Sequence, residues 1–371
     1  MRKILFVFGT RPEGIKLAPL IKKFNEKQGF KSFVCITSQH QGLLRQVLNF
    51  FNIDFHFDLN IMTHNQSLNY ITSKIVAKLE NIFAQVKPNL TFVQGDTTSC
   101  LAGALSSFYA KVPVAHIEAG LRTHDKLFPF PEELNRVLTD HLSHYHFAPT
   151  KKALDNLLEE NIDPKRIFMV GNTGIDAQKY ALEKIQEKEK EYFTFYKNID
   201  FSKKLILVTC HRRENFGPPL HNIITALLEI SSQFEDTEII YPVHPNPNVK
   251  SIVFSTLKAS RIHLFDPLDY PTLMFALKNS YLVLTDSGGI QEEAPSLGKP
   301  VLIMRDKTER PECIELGIAK LVGTNTEVIV NSIAELLSDK QKYSNMARIA
   351  FPFGDGNASE KIVDIISNLF L

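Results

Sequence analysis

The chain has almost no charge imbalance, few cysteines and no apolar run of membrane-spanning length. Its 371 residues include 42 lysines and arginines against 41 aspartates and glutamates, a formal net charge of +1. Proteins that bind DNA or RNA through backbone phosphates carry a basic surface, so this balance argues against a nucleic-acid partner. A small anionic ligand needs only a few local positive groups and fits the same balance.

The cysteines and the N-terminal segment indicate the cellular compartment in which the protein is expected. Because the four cysteines lie far apart and form no C-x-x-C pair, we expect free thiols in a reducing compartment; they are Cys35, Cys100, Cys210 and Cys313. The apolar run at residues 4–8 is too short for a signal peptide and lacks a small-residue cleavage site. No run approaches the ~20 apolar residues of a membrane span. The sequence therefore predicts a soluble, cytoplasmic protein without a membrane partner.

Several motifs of nucleotide-dependent and metal-dependent enzymes are missing. There is no G-x-x-x-x-G-K-[ST] loop and no G-x-S-x-G elbow, which disfavours an ATPase and an α/β-hydrolase. No G-x-G-x-x-G follows the first predicted strand, which argues against NAD. His141, His144 and His146 could suggest a metal, but no H-E-x-x-H or Cys/His set accompanies them. We therefore expect neither a metal nor another cofactor.

The chain does contain an alternation of apolar runs and helical periodicity from end to end. This alternation is typical of βαβ units with parallel sheets. Apolar residues make up 44% of the chain, and its length suits two domains. The alternation restarts after the charged segment 183–191, a predicted solvent-exposed helix, and we place a hinge near Gly171. The predicted fold is α/β, with two Rossmann-like domains that face each other across a cleft.

Residues 285–295 (TDSGGIQEEAP) are the stretch around which the chain is organised. A short apolar run precedes them and a helical segment follows, so Gly288 and Gly289 lie where a strand meets the start of a helix. Backbone N–H groups and the positive end of the helix dipole make such a junction a phosphate site. Glu293, about one turn further on, could accept hydrogen bonds from a ribose, which favours a nucleotide. The structural alternative is a tight turn with no ligand.

Polar clusters follow six of the predicted strands, beginning at residues 9, 94, 116, 210, 244 and 286. In open parallel sheets ligands bind at the carboxyl ends of strands, so these clusters are candidates for binding sites. Each has a structural alternative. Asp96 could simply cap its helix, and Glu118 could pair with Arg122. His211 could be a buried core histidine, and Arg11 could cap a neighbouring helix.

The motifs in these clusters, taken in order, resemble those of the non-hydrolysing UDP-N-acetylglucosamine 2-epimerases, bacterial enzymes that interconvert UDP-GlcNAc and UDP-ManNAc. The first half contains FGTRPE at 8–13, QH at 39–40, DLNIM at 58–62, GDTT at 95–98 and HIEAGLRT at 116–123. The second half contains GNT at 171–173, HRREN at 211–215, PVH at 242–244, the segment 285–300 and TERPE at 308–312. The ordered set covers nearly the whole chain and is highly specific.

The resemblance implies a GT-B arrangement in which the C-terminal helix packs back onto the first domain. On this basis residues 1–170 with 356–371 form the domain that carries the catalytic carboxylates, and residues 171–355 form the UDP-binding domain. In the implied reaction the C2 proton and UDP are removed, which gives 2-acetamidoglucal. UDP then adds back, with protonation of C2 from the opposite face. The product would supply cell-surface polysaccharide synthesis, and the protein would be a homodimer.

The resemblance also implies roles for individual residues. The implied catalytic residues are Asp96, Glu118, Glu132 and His211, of which the histidine assists the departure of UDP. The implied substrate contacts are Arg11, Lys16, Ser287, Gly288, Gly289, Glu293 and Arg310. Some family members bind a second UDP-GlcNAc as an activator, and the matching positions here are Gln39, His40, Arg212 and His244.

Three positions depart from the family pattern. Leu43 stands where many relatives have Met, Phe128 where they commonly have Ser, and Gly174 where Val is usual. The first bears on activation by substrate, and the others bear on domain closure or on a modified sugar. Three rival functions are a GT-B glycosyltransferase, a hydrolysing epimerase that releases ManNAc, and a catalytically silent nucleotide-sugar sensor. The full set of carboxylates and the motif at 9–12 favour the non-hydrolysing epimerase.

Overall fold

The structure is a computed structural model that describes residues 1–38, 41–62, 66–210, 212 and 215–370. The chain forms two compact units, the first from Met1–Tyr180 with Phe353–Leu371 and the second from Ala181–Pro352. Each unit is built on one parallel β-sheet with connecting helices. The predicted α/β fold with two Rossmann-like domains is confirmed. Within the described ranges, no helix has both the length and the apolarity needed to cross a membrane.

The first unit alternates strands and helices. Its strands are β1 (Arg2–Phe8), β2 (Phe30–Ile36), β3 (Phe57–Asp58), β4 (Leu90–Gln94), β5 (Val114–Ile117), β6 (Tyr145–Ala148) and β7 (Ile167–Met169). Its helices are α1 (Arg11–Glu26), α2 (Gln41–Phe50), α3 (Leu68–Val86), α4 (Thr98–Tyr109), α5 (Glu132–Leu142), α6 (Lys151–Glu159), the start of α7 (Thr173–Glu187) and the C-terminal α16 (Ala358–Leu369). A short 3-10 turn, Pro164–Arg166, precedes β7.

The seven strands of the first sheet are parallel and stand in the order β3-β2-β1-β4-β5-β6-β7. The order reverses between β1 and β4, where Leu5 aligns with Thr91. At such a switch point the loops that follow the two central strands diverge and leave room for a ligand. Ligand-binding residues are therefore expected on the loops after β1, β4 and β5.

The second unit repeats this plan. Its strands are β8 (Lys204–Thr209), β9 (Thr237–Pro242), β10 (Ile262–Phe265), β11 (Leu282–Thr285), β12 (Val301–Ile303) and β13 (Ala319–Leu321). Its further helices are α8 (Glu189–Phe195), α9 (Pro218–Gln233), α10 (Pro247–Thr256), α11 (Tyr270–Asn279), α12 (Gly288–Ser296), α13 (Glu312–Glu315), α14 (Thr326–Ser338) and α15 (Lys340–Met346). The sheet order is β10-β9-β8-β11-β12-β13, so the switch point lies between β8 and β11.

Helix α1 shows how the sequence builds the edge of the first sheet. Thr10 is its N-cap, and the Glu13 carboxylate accepts hydrogen bonds from the backbone N–H groups of Gly9 (3.0 Å) and Thr10 (2.7 Å). These contacts satisfy donors that a helix start leaves without intrahelical partners. On the opposite side Phe24 is fully buried and packs against Phe92 of β4, with ring centroids 5.5 Å apart. Each such buried side chain stabilises the fold by about 1.5–3 kcal/mol.

The C-terminal helix α16 belongs to the first unit, as the family resemblance implied. It packs against α1 and buries Ile362 and Ile366. The Asp176 carboxylate accepts hydrogen bonds from the backbone N–H groups of Ala358 (3.2 Å) and Ser359 (2.7 Å) at the start of the helix. A residue nearly two hundred positions earlier in the chain therefore fixes this helix.

The charged segment predicted as one helix is divided between two. Helix α7 ends at Glu187 and α8 begins at Glu189, with Lys188 between them at φ −132°. The break lets aromatic residues of α8 reach the core of the second unit. There the ring centroids of Tyr192 and Phe193 lie 5.4 and 5.0 Å from that of Phe275. Charge density alone did not indicate this break, because the packing partner lies far away in sequence.

Candidate functional site

Glu118 directly follows β5 at the carboxyl edge of the first sheet and is only 8% exposed. Its Oε2 atom is paired with the Lys16 ammonium and accepts a hydrogen bond of 2.7 Å from the Asn172 amide. The backbone of Glu118 has φ +69°, in the left-handed region that residues with a Cβ rarely occupy. Strained backbone of this kind clusters at functional sites, which supports a role for this carboxylate beyond packing.

Asp96 lies on the loop after β4 and is held by helix α5. Its carboxylate is ion-paired with Arg136, whose side chain is 4% exposed, and its carbonyl accepts a hydrogen bond of 2.9 Å from Asn135. Glu132 is the first residue of α5 and lies one turn before Arg136, on the same side of the helix. Helix α5 therefore brings Glu132 towards the loop that carries Asp96.

The loops that carry Asp96 and Glu118 meet. Gly95 donates a backbone hydrogen bond of 3.0 Å to Ile117, and a Cβ placed on Gly95 would lie 4.0 Å from the Glu118 Oε1 atom. The structure thus places Asp96 and Glu118 on adjoining loops at one edge of the sheet, with Lys16 paired to Glu118. Arg11 stands close by in the chain as the first residue of α1.

Glu13 ties the loop after β1 to the loop after β4. Besides its backbone contacts at the start of α1, its Oε1 atom accepts a hydrogen bond of 2.6 Å from the Thr97 hydroxyl. Burial raises the pKa of Glu13, and the hydrogen bonds from Thr97, Gly9 and Thr10 oppose that shift. Since β1 and β4 flank the switch point, this side chain fixes the relative position of the two central loops.

The structural alternatives for Asp96 and Glu118 are both wrong. Thr97, not Asp96, is the N-cap of α4, because its hydroxyl accepts a hydrogen bond from the Cys100 backbone N–H at 3.0 Å. Arg122 does not pair with Glu118. Its guanidinium pairs instead with Asp140 and with Glu160, at 2.7 Å in each case. Neither helix capping nor the pair with Arg122 accounts for these carboxylates.

The predicted junction of strand and helix is present in the second unit. Ser287 is the N-cap of α12, Gly288 is its first residue, and the Ser287 backbone N–H donates to the Thr285 hydroxyl at 2.9 Å. The N-terminus of α12 therefore lies at the carboxyl end of β11. Such an N-terminus presents backbone N–H donors and a partial positive charge, which suit a phosphate.

Arg310 explains why residue 288 is glycine. A Cβ at Gly288 would lie 2.7 Å from the Arg310 Nη1 atom and 2.8 Å from its Cζ atom. The guanidinium is 5% exposed, donates through Nε to the Glu292 carboxylate at 2.6 Å, and is also paired with Glu309. The φ angle of Gly288 is not in the left-handed region, so the close approach of Arg310, rather than backbone freedom, requires glycine here.

The other second-unit candidates follow neighbouring strands. Glu293 is 7% exposed, and its Oε1 atom accepts a hydrogen bond of 2.8 Å from the Tyr270 hydroxyl. Arg212 donates from its backbone N–H to the Asp286 carboxylate at 2.9 Å. His244 follows β9, and its Nδ1 atom accepts a hydrogen bond of 3.2 Å from a backbone N–H two residues later. Arg212 and His244 lie on the loops after β8 and β9, and Glu293 lies in helix α12, which follows β11.

Three predicted site residues, Gln39, His40 and His211, lie outside the described residues. The three histidines that could suggest a metal have separate partners. His146 contacts the Asp140 carbonyl at 2.8 Å, His141 lies 4.0 Å from Glu160, and the His144 ring packs on Tyr145. Over the described part of the chain, no group of three or more His, Cys, Asp or Glu side chains is placed to hold a metal ion.

Sequence reasoning missed several residues that hold the site. Arg136 could have been suspected, because it lies one helical turn after Glu132. Asn172 belongs to the motif at 171–173, but nothing in that motif indicated a contact with Glu118. Nothing in the sequence indicated that Tyr270 contacts Glu293. The first unit contains two carboxylates, each beside a cation, which suit proton transfer. The second unit, by itself, contains a helix N-terminus that suits phosphate binding.

Comparison with known proteins identifies the family. The family model for UDP-N-acetylglucosamine 2-epimerase matches residues 22–367. The chain is 47% identical to the UDP-N-acetylglucosamine 2-epimerase of Escherichia coli (strain K12), over 99% of this chain and 98% of that protein. The structure is similar to that of the Neisseria meningitidis UDP-GlcNAc 2-epimerase bound to UDP-GlcNAc, with a TM-score of 0.96 and 45% identity over 99% of this chain and 100% of that one. It is also similar to the Methanocaldococcus jannaschii UDP-GlcNAc 2-epimerase in complex with UDP-GlcNAc and UDP, with a TM-score of 0.87 and 37% identity over 99% of each chain. With matches over the full length in both sequence and structure, the chain belongs to the UDP-N-acetylglucosamine 2-epimerase family of enzymes.

Proposed function

We propose that the protein interconverts UDP-GlcNAc and UDP-ManNAc by elimination and re-addition of UDP. The observation that carries this proposal is the set of carboxylates at the edge of the first sheet, in a chain 45% identical to a UDP-GlcNAc-bound epimerase. Glu118 is paired with Lys16, and Asp96 with Arg136. Inversion at C2 requires a proton to leave one face of the sugar and another to arrive on the opposite face, so two positioned acid/base groups are needed.

The proposed reaction has two balanced steps. A carboxylate takes the C2 proton, the C2–H electron pair forms the C1=C2 double bond, and the C1–O bond breaks to release UDP. The intermediate is 2-acetamidoglucal. In the second step a UDP oxygen bonds to C1, and a second acid protonates C2 from the other face. We assign these proton transfers to Asp96, Glu118 and Glu132.

We assign the UDP moiety to the second unit. Ser287, Gly288 and Gly289 would donate backbone N–H groups to the diphosphate at the start of α12, where charge develops as UDP leaves. The carboxylate of Glu293, held by the Tyr270 hydroxyl, would accept hydrogen bonds from the ribose. Arg310, which lies against this turn, would contact the substrate or hold the turn in shape.

The remaining roles are supported by the family resemblance. We propose that Arg11 and Lys16 bind the sugar and phosphates, and that His211 assists the departure of UDP. We propose a second UDP-GlcNAc site that uses Gln39, His40, Arg212 and His244. On the same basis we propose a cytoplasmic homodimer, with residues 1–170 and 356–371 as one domain and 171–355 as the other. Its product would supply cell-surface polysaccharide synthesis.

The reaction can be tested by incubating the pure protein with UDP-GlcNAc alone in D2O and following the sugar signals by NMR. We expect UDP-ManNAc to appear with deuterium at C2, because the second acid, which protonates C2 from the other face, carries a deuteron exchanged from the D2O. A parallel incubation in D2O without the protein controls for chemical exchange of the substrate. Release of free ManNAc would instead indicate a hydrolysing epimerase. An unchanged substrate would favour a glycosyltransferase or a sensor.

A further inference from the structure

A buried histidine–carboxylate pair lies directly behind the proposed acid/base groups. His116 of β5 and Asp140 of α5 are both fully buried, and the His116 Nδ1 atom lies 2.6 Å from the Asp140 Oδ1 atom. The Nε2 atom of the same ring lies 2.7 Å from the carbonyl oxygen of Gly95. His116 therefore joins helix α5 to the residue immediately before Asp96.

The contacts define the protonation of the ring. A carbonyl oxygen can only accept, so Nε2 carries a proton that it donates to Gly95. The Asp140 carboxylate also accepts hydrogen bonds from the Gly120 backbone N–H (3.1 Å) and from Arg122 (2.7 Å). These donors favour an ionised carboxylate, which means that Nδ1 of His116 also donates. This geometry fits a ring that donates from both nitrogens, one to the Gly95 carbonyl and one to the Asp140 carboxylate.

Asp140 connects two loops to helix α5. Through His116 it reaches Gly95, next to Asp96. Through its Oδ2 atom it holds Gly120, two residues after Glu118. Its own helix begins at Glu132. Asp140 is therefore linked to the loops that carry Asp96 and Glu118, and it shares helix α5 with Glu132.

The surroundings of the pair are closed and charged. Burial by itself would raise the pKa of Asp140, but the His116 ring and the Arg122 guanidinium outweigh it and hold that pKa well below its usual range. Arg122 is shared with Glu160 on its outer side, and His146 contacts the Asp140 carbonyl. The Cys100 thiol lies 3.2 Å from the Gly95 carbonyl, as a second donor to that oxygen. Burial raises the pKa of Cys100, so the thiol remains protonated.

We propose that His116 and Asp140 are positioning residues for the epimerisation, which hold the Asp96 and Glu118 loops in the geometry needed to reach both faces of C2. This inference rests on the proposed function. Neither residue touches the sugar in this proposal. Their effect comes through Gly95 and Gly120, because a small shift of a positioned acid/base group is costly for the rate.

The test compares Asp140→Asn with Glu160→Gln. The first substitution keeps the shape of the side chain and removes its charge. The second removes the outer partner of Arg122 and leaves the contacts of Asp140 in place. For Asp140→Asn we expect kcat to fall by about 10- to 100-fold, the scale seen for supporting contacts behind an active site. KM for UDP-GlcNAc should stay within about threefold of wild type, since UDP binding is assigned to the other unit. For Glu160→Gln we expect near-normal kcat.

A spectroscopic measurement on the wild type gives a second readout that does not depend on turnover. In 15N-histidine-labelled protein, His116 should show two protonated ring nitrogens, and the Nδ1–H signal should shift or disappear in Asp140→Asn. His116→Gln, which can still donate to Gly95, should recover more of kcat than His116→Ala. The 15N spectrum of the wild type and the comparison of the two His116 variants remain available if Asp140→Asn does not fold.

Three results would overturn the inference. They are a normal kcat in folded Asp140→Asn, an equal loss of kcat in Glu160→Gln, and a His116 ring with a single N–H in the wild type. Failure of the proposed function looks different, because the wild type would then not convert UDP-GlcNAc at all. The 15N spectrum would still decide whether the charged pair exists.

Discussion

At the scale of single residues, the cations beside the proposed acid/base groups stand out. The Lys16–Glu118 side chains are 10% and 7% exposed, and those of Arg136–Asp96 are 4% and 27% exposed. Desolvating a buried ion pair costs about as much as the pairing returns, so such a pair is weak evidence for a role in stability. Both pairs lie at the carboxyl edge of the sheet, where ligands bind in this fold. A role in holding carboxylates towards a substrate explains their placement better than a role in stability.

The carboxylates can be tested by isosteric amides. We expect Asp96→Asn, Glu118→Gln and Glu132→Gln each to lower kcat by about two to four orders of magnitude, the scale for loss of a positioned acid or base. UDP binding measured by calorimetry should change little, because these residues are assigned to the sugar. Glu159→Gln, a change at an exposed carboxylate, provides the matched control. Near-normal turnover in any of the three variants would remove that residue from the proposed mechanism.

The sequence could predict which residues stand at strand ends, but not how they pair. Asp96 and Glu118 were found because each follows the end of an apolar run, whereas Lys16 came only from the family resemblance. The pairing of Glu118 with Arg122, which proximity in sequence suggested, is wrong because α5 brings Asp140 to the guanidinium instead. Arg136 was missed for the same reason. Its partner depends on how α5 packs, which local pattern does not show.

At the scale of elements, α12 shows the limit of motif reasoning. The pattern of strand, Gly pair and helix predicted its N-terminus correctly, from the general rule for anion sites. The reason for one of the two glycines came only from the structure, because Arg310 lies twenty-two positions further along the chain and packs against Gly288. Gly289 has no comparable neighbour, since a Cβ there would meet only the Ser287 hydroxyl at 4.0 Å. Close packing therefore explains the glycine at position 288 but not the glycine at position 289.

This difference gives a prediction about stability. Gly288→Ala should lower the free energy of unfolding by about 1–3 kcal/mol, because the new methyl group pushes the Arg310 guanidinium away from Glu292 and Glu309. Gly289→Ala should be neutral or stabilise by up to about 1 kcal/mol, as alanine does in an open helical position. Thermal or urea unfolding of the two variants without ligand measures these changes in the free energy of unfolding. Equal effects at both positions would contradict the role of Arg310.

Some elements gave too weak a local signal to predict. Strand β3 has only two residues, Phe57–Asp58, and β10 is an edge strand in which a histidine interrupts the apolar residues. The fully buried strands β4 and β11 were found without difficulty, because strands covered on both faces appear as continuous apolar runs. Prediction thus missed one edge strand of each sheet.

At the scale of the whole molecule, each unit combines a parallel sheet with contacts between distant parts of the chain. In the first unit, Asp176 holds the start of α16 and the α16 helix covers α1. The same unit buries titratable side chains in its interior, among them Glu13 and His146. Burial of such groups links folding to pH, because their proton affinities differ between the folded and unfolded states.

The last prediction concerns the pH dependence of stability. Burial lowers the pKa of His146 from its ordinary value of 6.5, so the unfolded chain binds a proton there at a higher pH than the folded chain does. The contribution of His146 to stability is therefore complete above 6.5 and is lost as pH falls from there towards the folded pKa. Glu13 and Asp176 have raised pKa values through burial, so their protonation favours the folded state as pH falls and acts in the opposite direction. Only a comparison with a variant isolates the histidine.

His146→Gln provides that comparison, because glutamine can still donate to the Asp140 carbonyl but does not titrate. Between about pH 7.5 and about pH 5.5, the wild type should lose more stability than the variant, by no more than about 1.4 kcal/mol at one unit below the ordinary pKa. Unfolding in urea at the two pH values measures this difference, and Glu13 and Asp176 cancel because both proteins contain them. Equal losses would mean that His146 accepts a proton in the folded state as readily as in water. The pair formed by its neighbour Asp140 with His116 would then have to tolerate a further positive charge inside the core.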